Sequence, residues 1–329
     1  IGSEIVRQVL AEGPKVVRIF SRDETKQAML RLSLPDDAPV RFLIGDVRDL
    51  ERLRTALDGV DVAYHAAALK HVPACEYNPY EAVQTNVIGT QNLIQACREN
   101  KVARLVYIST DKAVNPANTM GATKLLAENM IRASQEWNPN ITMCAVRFGN
   151  VLGSRGSLLP LMASQMEQEA CVQLTSNQMT RFMMTISDAV KLVLRAGEQA
   201  VGGELFILKM PSLRVKDLVE VFVDQYSKAR SWPKGHVEIK LTNPRPGEKT
   251  HEQLLTLEET TRLVEHDDHF VVQPSWTKAI APLAEQLPAA CDSGLSQLLS
   301  SDEIIELLER SGSASLIPDK HPQDDFAPA

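Results

Sequence analysis

Through the first half of the chain, short β-branched runs alternate with stretches of helical spacing, and this alternation leaves few folds open. Val16 to Phe20 predicts a strand, Val40 to Ile44 a second, Val60 to His65 a third, Arg104 to Ser109 a fourth and Thr142 to Phe148 a fifth. Between them, Leu50 to Leu57, Glu81 to Arg98 and Thr123 to Gln135 carry the period of amphipathic helices. Strands joined through helices run parallel. The expected class is therefore α/β, a doubly wound parallel sheet of Rossmann type with a smaller C-terminal substrate domain. Ligands of such a sheet gather at the carboxyl ends of its strands.

Residues 1–150 are expected to form the dinucleotide-binding domain. Residues 151–275 form the substrate-binding part, with exchanges between the two, and 276–329 a partly disordered C-terminal extension. Val215 to Tyr226 and Ser301 to Arg310 have helical spacing within the later segments. A doubly wound fold opens on a strand and a Gly-rich turn, whereas here a helical pattern begins at Ser3 behind only Ile1 and Gly2. Gly2 reads as the last glycine of that turn, and the first strand is expected to lie outside this chain.

Charge and cysteine usage narrow the function. The formal net charge of −7 does not favour a nucleic-acid partner, so an anionic ligand has to be met by a local group of Arg and Lys. The five cysteines are odd in number and form no CxxC, which suits small core residues in a reducing compartment. No run of about 18 apolar residues occurs, so no membrane span is predicted and a cytoplasmic location is expected. His266, Asp267, Asp268 and His269 are adjacent but close no ligand set, and no metal is expected.

The strongest chemical signal follows the fourth strand. Leu105-Val106-Tyr107-Ile108 runs into Ser109-Thr110-Asp111-Lys112, placing a hydroxyl, an acid and an amine at a carboxyl strand end. A solvated Asx turn would look the same. The functional reading is a hydroxyl that polarises a substrate oxygen beside an acid and a base. A second signal, Met120-Gly121-Ala122-Thr123-Lys124, opens a helix.

With this second element the chain resembles the short-chain dehydrogenases. Lys124 stands in the lysine position of their YxxxK element and Met120 in the tyrosine position. The stretches Ala66 to Pro73, Thr85-Asn86, Ser109 to Ala113, Arg147 to Ser154 and Arg245 to Lys249 follow in order. Together they resemble the CapD-type polysaccharide-biosynthesis proteins, the UDP-N-acetylglucosamine 4,6-dehydratases, over roughly residues 1 to 275. The resemblance implies an internal redox cycle. Hydride leaves sugar carbon 4, a base takes the carbon-5 proton, an acid protonates the departing carbon-6 hydroxyl, and hydride returns to carbon 6. It makes Thr110, Asp111, Lys112 and Lys124 the catalytic residues, with Asp111 the acid and Lys112 the base, and it implies a homo-oligomer. Met120 cannot accept a proton, so Thr110 with Asp111 is the candidate relay for the first oxidation.

Cofactor choice turns on the end of the second strand of the full fold. Ser21 takes the usual acidic place and Arg22 follows it, which favours NADP, while Asp23 keeps NAD open. The resemblance adds Asp46 and Val47 as adenine contacts. Ala66, Ala67 and Ala68 are small enough to admit a cofactor against the backbone, and Gly2 and Lys124 complete the cofactor set. For a UDP-sugar, Arg181 and Arg245 are the expected diphosphate clamps, Glu248 the ribose acceptor, and Lys70 and Asn150 the residues facing the sugar. The alternatives are a 4- or 5-epimerase and a non-catalytic NADP-binding regulator.

Overall fold

The computed structural model describes residues 1–154, 158–244 and 246–318. The chain divides into two compact units. The first comprises residues 1–148, 187–209 and 253–291, and the second 149–186, 210–252 and 292–329. The stretch expected as an extension is thus shared, up to Cys291 in the first unit and from Asp292 in the second.

The first unit holds strands β1 (Val17–Ser21), β2 (Val40–Ile44), β3 (Val62–His65), β4 (Arg104–Ile108) and β5 (Thr142–Arg147). β3, β4, β5 and Leu205–Leu208 pair in parallel, and His269–Val272 and Leu263–Glu265 extend that sheet antiparallel. β1 and β2 form a separate parallel pair. The central strands are apolar on both faces because both are covered: Leu105, Val106, Met143, Cys144, Ala145 and Val146 are buried. The α/β class and the parallel sheet agree with the sequence reading.

Several helices differ from that reading. Helix α1 (Gly2–Ala11) begins at Gly2 itself, which is exposed, with open space where a Cβ would stand. Glu24–Leu32, Leu158–Glu169 and Ile186–Gln199 are helices that the sequence reading does not assign. The segment read as one helix from Glu81 to Arg98 is a short helix Pro79–Ala82, a π-helical stretch Val83–Ile88 and a helix Gly89–Glu99. Apolar spacing does not register one wide turn. Such turns often mark functional positions, and this one carries Asn86.

The second unit is smaller. Asn150–Val151, Thr180–Met184 and Ser212–Arg214 form a three-stranded sheet, and Cys171–Leu174 pairs in parallel with Glu238–Leu241. Leu159, Met162, Leu218, Phe222, Ile304 and Leu307 meet in its core. Ser300 and Glu303 close a reciprocal capping box at the start of the helix Ser301–Arg310. Among the described residues no helix is long and apolar enough to cross a membrane.

Candidate active site

β4 delivers Ser109, Thr110 and Asp111 at its carboxyl end, where the backbone is still held by β5. Ser109 N donates to Val146 O at 2.7 Å and Asp111 N to Phe148 O at 3.0 Å. A single 3₁₀ turn, Asp111–Ala113, then reverses the chain. Thr110 Oγ1 donates to Asp111 Oδ1 at 2.9 Å, and Lys112 Nζ donates to the same oxygen at 3.0 Å. Asp111 is 0% exposed, and its other oxygen, Oδ2, has no hydrogen-bond partner. A fully buried carboxylate with one oxygen doubly bonded and the other unmatched is costly unless something meets it. The side chain of Lys112 remains 23% exposed.

The helix Thr119–Trp137 starts earlier than the sequence reading has it, at a cap in which Asn118 Oδ1 accepts from Gly121 N at 2.8 Å. Gly121 explains how closely this helix approaches the turn after β4, since a Cβ there would lie 2.2 Å from Lys112 O. Gly121→Ala is expected to cost roughly 1–3 kcal/mol by forcing the two apart. Urea unfolding measures the loss, and an unchanged midpoint would show that the approach can relax. Met120 is buried with Cys75 and Ala82, and Leu69 and Val72 pack against them. The tyrosine position of the motif is thus filled by apolar packing.

Lys124 is buried one turn further on. Its Nζ donates to Ile108 O at 2.5 Å and lies 4.1 Å from the centroid of the Tyr107 ring. Burial pulls its pKa down to about 7, with Glu128 pulling the other way. Glu128 is itself bound by Arg147 at 2.5 Å, and Arg147 also meets Glu259 at 2.9 Å.

Asn86 ties the remaining strand end to this group. Its Oδ1 accepts from Leu69 N at 2.8 Å, and its Nδ2 donates to Leu69 O at 3.1 Å and Thr123 Oγ1 at 3.0 Å. The loop after β3, with Ala66 and Ala67 exposed and Ala68 half-buried, is so fixed to the helix that carries Lys124. Asn92 Nδ2 reaches Val47 O at 3.2 Å, and Gly89 leaves room for the Val47 side chain, so the loop after β2 joins the same helical segment. Asn86 stood in the ordered motif set of the sequence without a role. Gly121 and the Arg147–Glu128 pair had no individual signal.

At the end of β1, Ser21 Oγ accepts from Asp23 N at 3.2 Å, and the side chain of Arg22 is 54% exposed. Arg22 reaches Asp46 Oδ2 at 3.4 Å, a longer contact than the 2.8 Å from Arg48 to that oxygen. Burial pushes the Asp46 pKa up, but hydrogen bonds from Arg48 outweigh it and hold the carboxyl below its ordinary value. Lys70 is exposed on the loop after β3.

In the second unit Asn150 lies on the short strand paired with Met183 and Met184, and Glu248 is half-buried in a loop. Arg181 requires a correction. Its guanidinium is turned inward, where Nη1 donates to Thr180 O at 2.7 Å and Thr250 O at 3.2 Å, Nη2 to Lys249 O at 2.9 Å, and Nε lies 3.8 Å from Glu252. Those carbonyls satisfy donors that a diphosphate would otherwise take, so Arg181 fastens the Lys249–Thr250 segment next to Glu248. Arg245 lies outside the described residues.

Comparisons with known proteins agree with this architecture. The model of a family described as polysaccharide biosynthesis protein matches residues 1–274. An uncharacterized membrane protein, MJ1061, of Methanocaldococcus jannaschii is 51% identical, covering 83% of this chain and 83% of its own. A UDP-N-acetylglucosamine 4,6-dehydratase (inverting) of Campylobacter jejuni is 40% identical over 80% of this chain and 76% of its own. A UDP-glucose 4-epimerase of Rickettsia conorii is 38% identical over 82% and 77%. Among solved structures, Pen from Bacillus thuringiensis superposes with a TM-score of 0.88 at 37% identity, covering 94% of this chain and 95% of that one.

Proposed function

The chain belongs to the polysaccharide biosynthesis protein family, and from that premise we propose that it is a nucleotide-sugar 4,6-dehydratase acting on UDP-N-acetylglucosamine with NADP. The observation that carries the reading is the Asp111 carboxylate, with Thr110 and Lys112 on one oxygen and no partner on the other. That arrangement suits a group that receives a proton and passes it on.

The residues present fit a dinucleotide. Methyl side chains at the exposed Ala66 and Ala67 leave the backbone open, Arg22 is free enough to reach a 2′-phosphate, and Lys124 would hold the nicotinamide ribose. When bound, a nicotinamide supplies a hydride acceptor at sugar carbon 4 and a hydride donor at carbon 6. The protons are handled by the chain. Thr110 takes the proton of the carbon-4 hydroxyl and hands its own to Asp111. Lys112, acting from its neutral amine, removes the carbon-5 proton, now acidified by the ketone, and Asp111 protonates the departing carbon-6 hydroxyl. Lys112 returns a proton to carbon 5. The carbon-4 hydroxyl proton leaves with the carbon-6 hydroxyl as one water.

The names of some relatives favour a second reading, 4-epimerisation. An acid beside the base is unnecessary for that reaction, so the Asp111–Lys112 pair speaks for dehydration. Incubation with UDP-N-acetylglucosamine in heavy water separates the two. Dehydration yields a sugar lighter by one water, with deuterium at carbon 5. A product of unchanged mass, inverted at carbon 4, would mean epimerisation, and no product at all would favour a cofactor-binding regulator. A cytoplasmic site of action is part of the proposal, supported by five cysteines that are all free and buried.

NADP preference should depend on Arg22. Arg22→Ala is expected to weaken NADP binding by roughly 1.5–3 kcal/mol and to leave NAD binding nearly as it was. Titration of both cofactors against both proteins checks this, and an unchanged preference in the variant removes Arg22 from the account.

A further inference from the structure

We infer that Tyr107 is a positioning residue for Lys124, its ring face holding the ammonium beside the carbonyl of Ile108. Tyr107 is not among the residues assigned to the reaction. It points into the first unit, 1% exposed, with Lys124 Nζ 4.1 Å from its ring centroid. Its hydroxyl is buried without a hydrogen-bond partner, so the phenol oxygen is not what the site uses. The ring is what remains, and the face of an aromatic ring is the negative part of its quadrupole.

The ring has a second neighbour. His65 packs against it at 5.5 Å between centroids, tilted by 53°. His65 Nε2 lies 2.9 Å from Thr90 Oγ1, and Thr90 donates its one hydrogen to Asn86 O at 2.7 Å. The imidazole therefore donates from Nε2. Burial, and then the Lys124 charge, depress its pKa to about 3, so it stays neutral beside the ammonium. Asn86, Thr90, His65 and Tyr107 thus form one chain of contacts that ends on Lys124. Asn86 also fixes the loop after β3, so this chain couples that loop to the lysine.

The other charged groups near Lys124 are Glu128 on its own helix, Arg147 bound to Glu128 from β5, and the Asp111–Lys112 pair on the turn against which that helix packs. Arg147 occupies Glu128, so the lysine shares its nearest carboxylate. With that counter-charge shared, an ammonium buried at this point depends on the carbonyl of Ile108 and the ring of Tyr107.

The test uses the full chain with ¹³Cε-labelled lysine, in which Lys124→Met identifies the Lys124 signal. Tyr107→Phe keeps the ring and gives up only an unpaired hydroxyl, so the Lys124 titration midpoint should stay where the unsubstituted protein has it. Replacing Tyr107 with 3,4,5-trifluorophenylalanine keeps the shape but drains the ring face, and the midpoint should fall by roughly half a pH unit or more. A fluorinated ring that leaves the midpoint where phenylalanine has it would overturn the inference. The consequence for cofactor binding rests on reading Lys124 as the cofactor's lysine. NADP affinity measured on Lys124→Met tests that reading by itself, because an unchanged affinity there would remove it while the assignment of Tyr107 to the ammonium would stand on the midpoints.

Discussion

Asp111→Asn and Lys112→Ala are each expected to lower the proposed dehydration by about 10²–10⁴-fold while leaving cofactor binding nearly intact. This is the expected scale for losing a positioned acid or base. An amide at position 111 can neither take the proton that Thr110 passes on nor give one to the carbon-6 hydroxyl. It also has to accept from Thr110 and Lys112 at the site where Asp111 Oδ1 now accepts from both. Without the Lys112 amine nothing on this turn removes the carbon-5 proton. In the proposed reaction both groups act on the reacting carbons, so turnover should fall with little change in KM. Single-turnover measurement of the 4-keto-6-deoxy sugar, with NADP titration alongside, reads both quantities. Near wild-type turnover in either variant would take the proposed role from that residue. A parallel loss of NADP affinity would mean that the turn supports the cofactor loop rather than the proton chemistry.

How much of this could be seen in the sequence depends on the range of the forces involved. The α/β class was legible because alternation of strands and helices is a local pattern repeated many times. The run from Leu105 to Lys112 was legible for a related reason, since an apolar strand that stops at a hydroxyl, an acid and an amine leaves only a few residues to place. The helix of Lys124 was harder. Gly121 weakens helical propensity, so the reading starts that helix at Thr123, whereas the structure uses Gly121 to bring the helix within reach of Lys112 O. Arg181 is different: an Arg met alone in the sequence reads as a phosphate ligand, whereas in the structure its guanidinium donates to the backbone carbonyls of Thr180, Lys249 and Thr250, whose availability no spacing rule reveals. The wide turn at Val83–Ile88 is equally silent, because it alters the phase of a helix without altering its composition.

The buried triad of Arg147, Glu128 and Glu259 joins residues that lie far apart in the chain, and removing its centre should produce the largest loss of stability. Arg147 is 1% exposed and Glu128 0%. Burial works against the charged guanidinium, but Glu128 and Glu259 outweigh it and raise its pKa, and Arg147 in turn outweighs the burial of Glu259 and lowers that pKa. Arg147 Nη1 also donates to Leu254 O at 2.7 Å, so the same side chain anchors the Leu254–Glu259 segment to β5. Arg147→Met takes the cation that both carboxylates share, leaving Arg132 at 3.9 Å from Glu259, and breaking such a buried pair typically costs about 3–5 kcal/mol. The double variant Arg147→Met with Glu128→Gln should recover part of that loss, because one stranded charge is then removed. Recovery distinguishes a charge effect from lost packing, which a second substitution would only deepen. Equilibrium urea unfolding of the single and double variants measures both. If Arg147→Met unfolds at the wild-type urea concentration, the triad contributes nothing to stability.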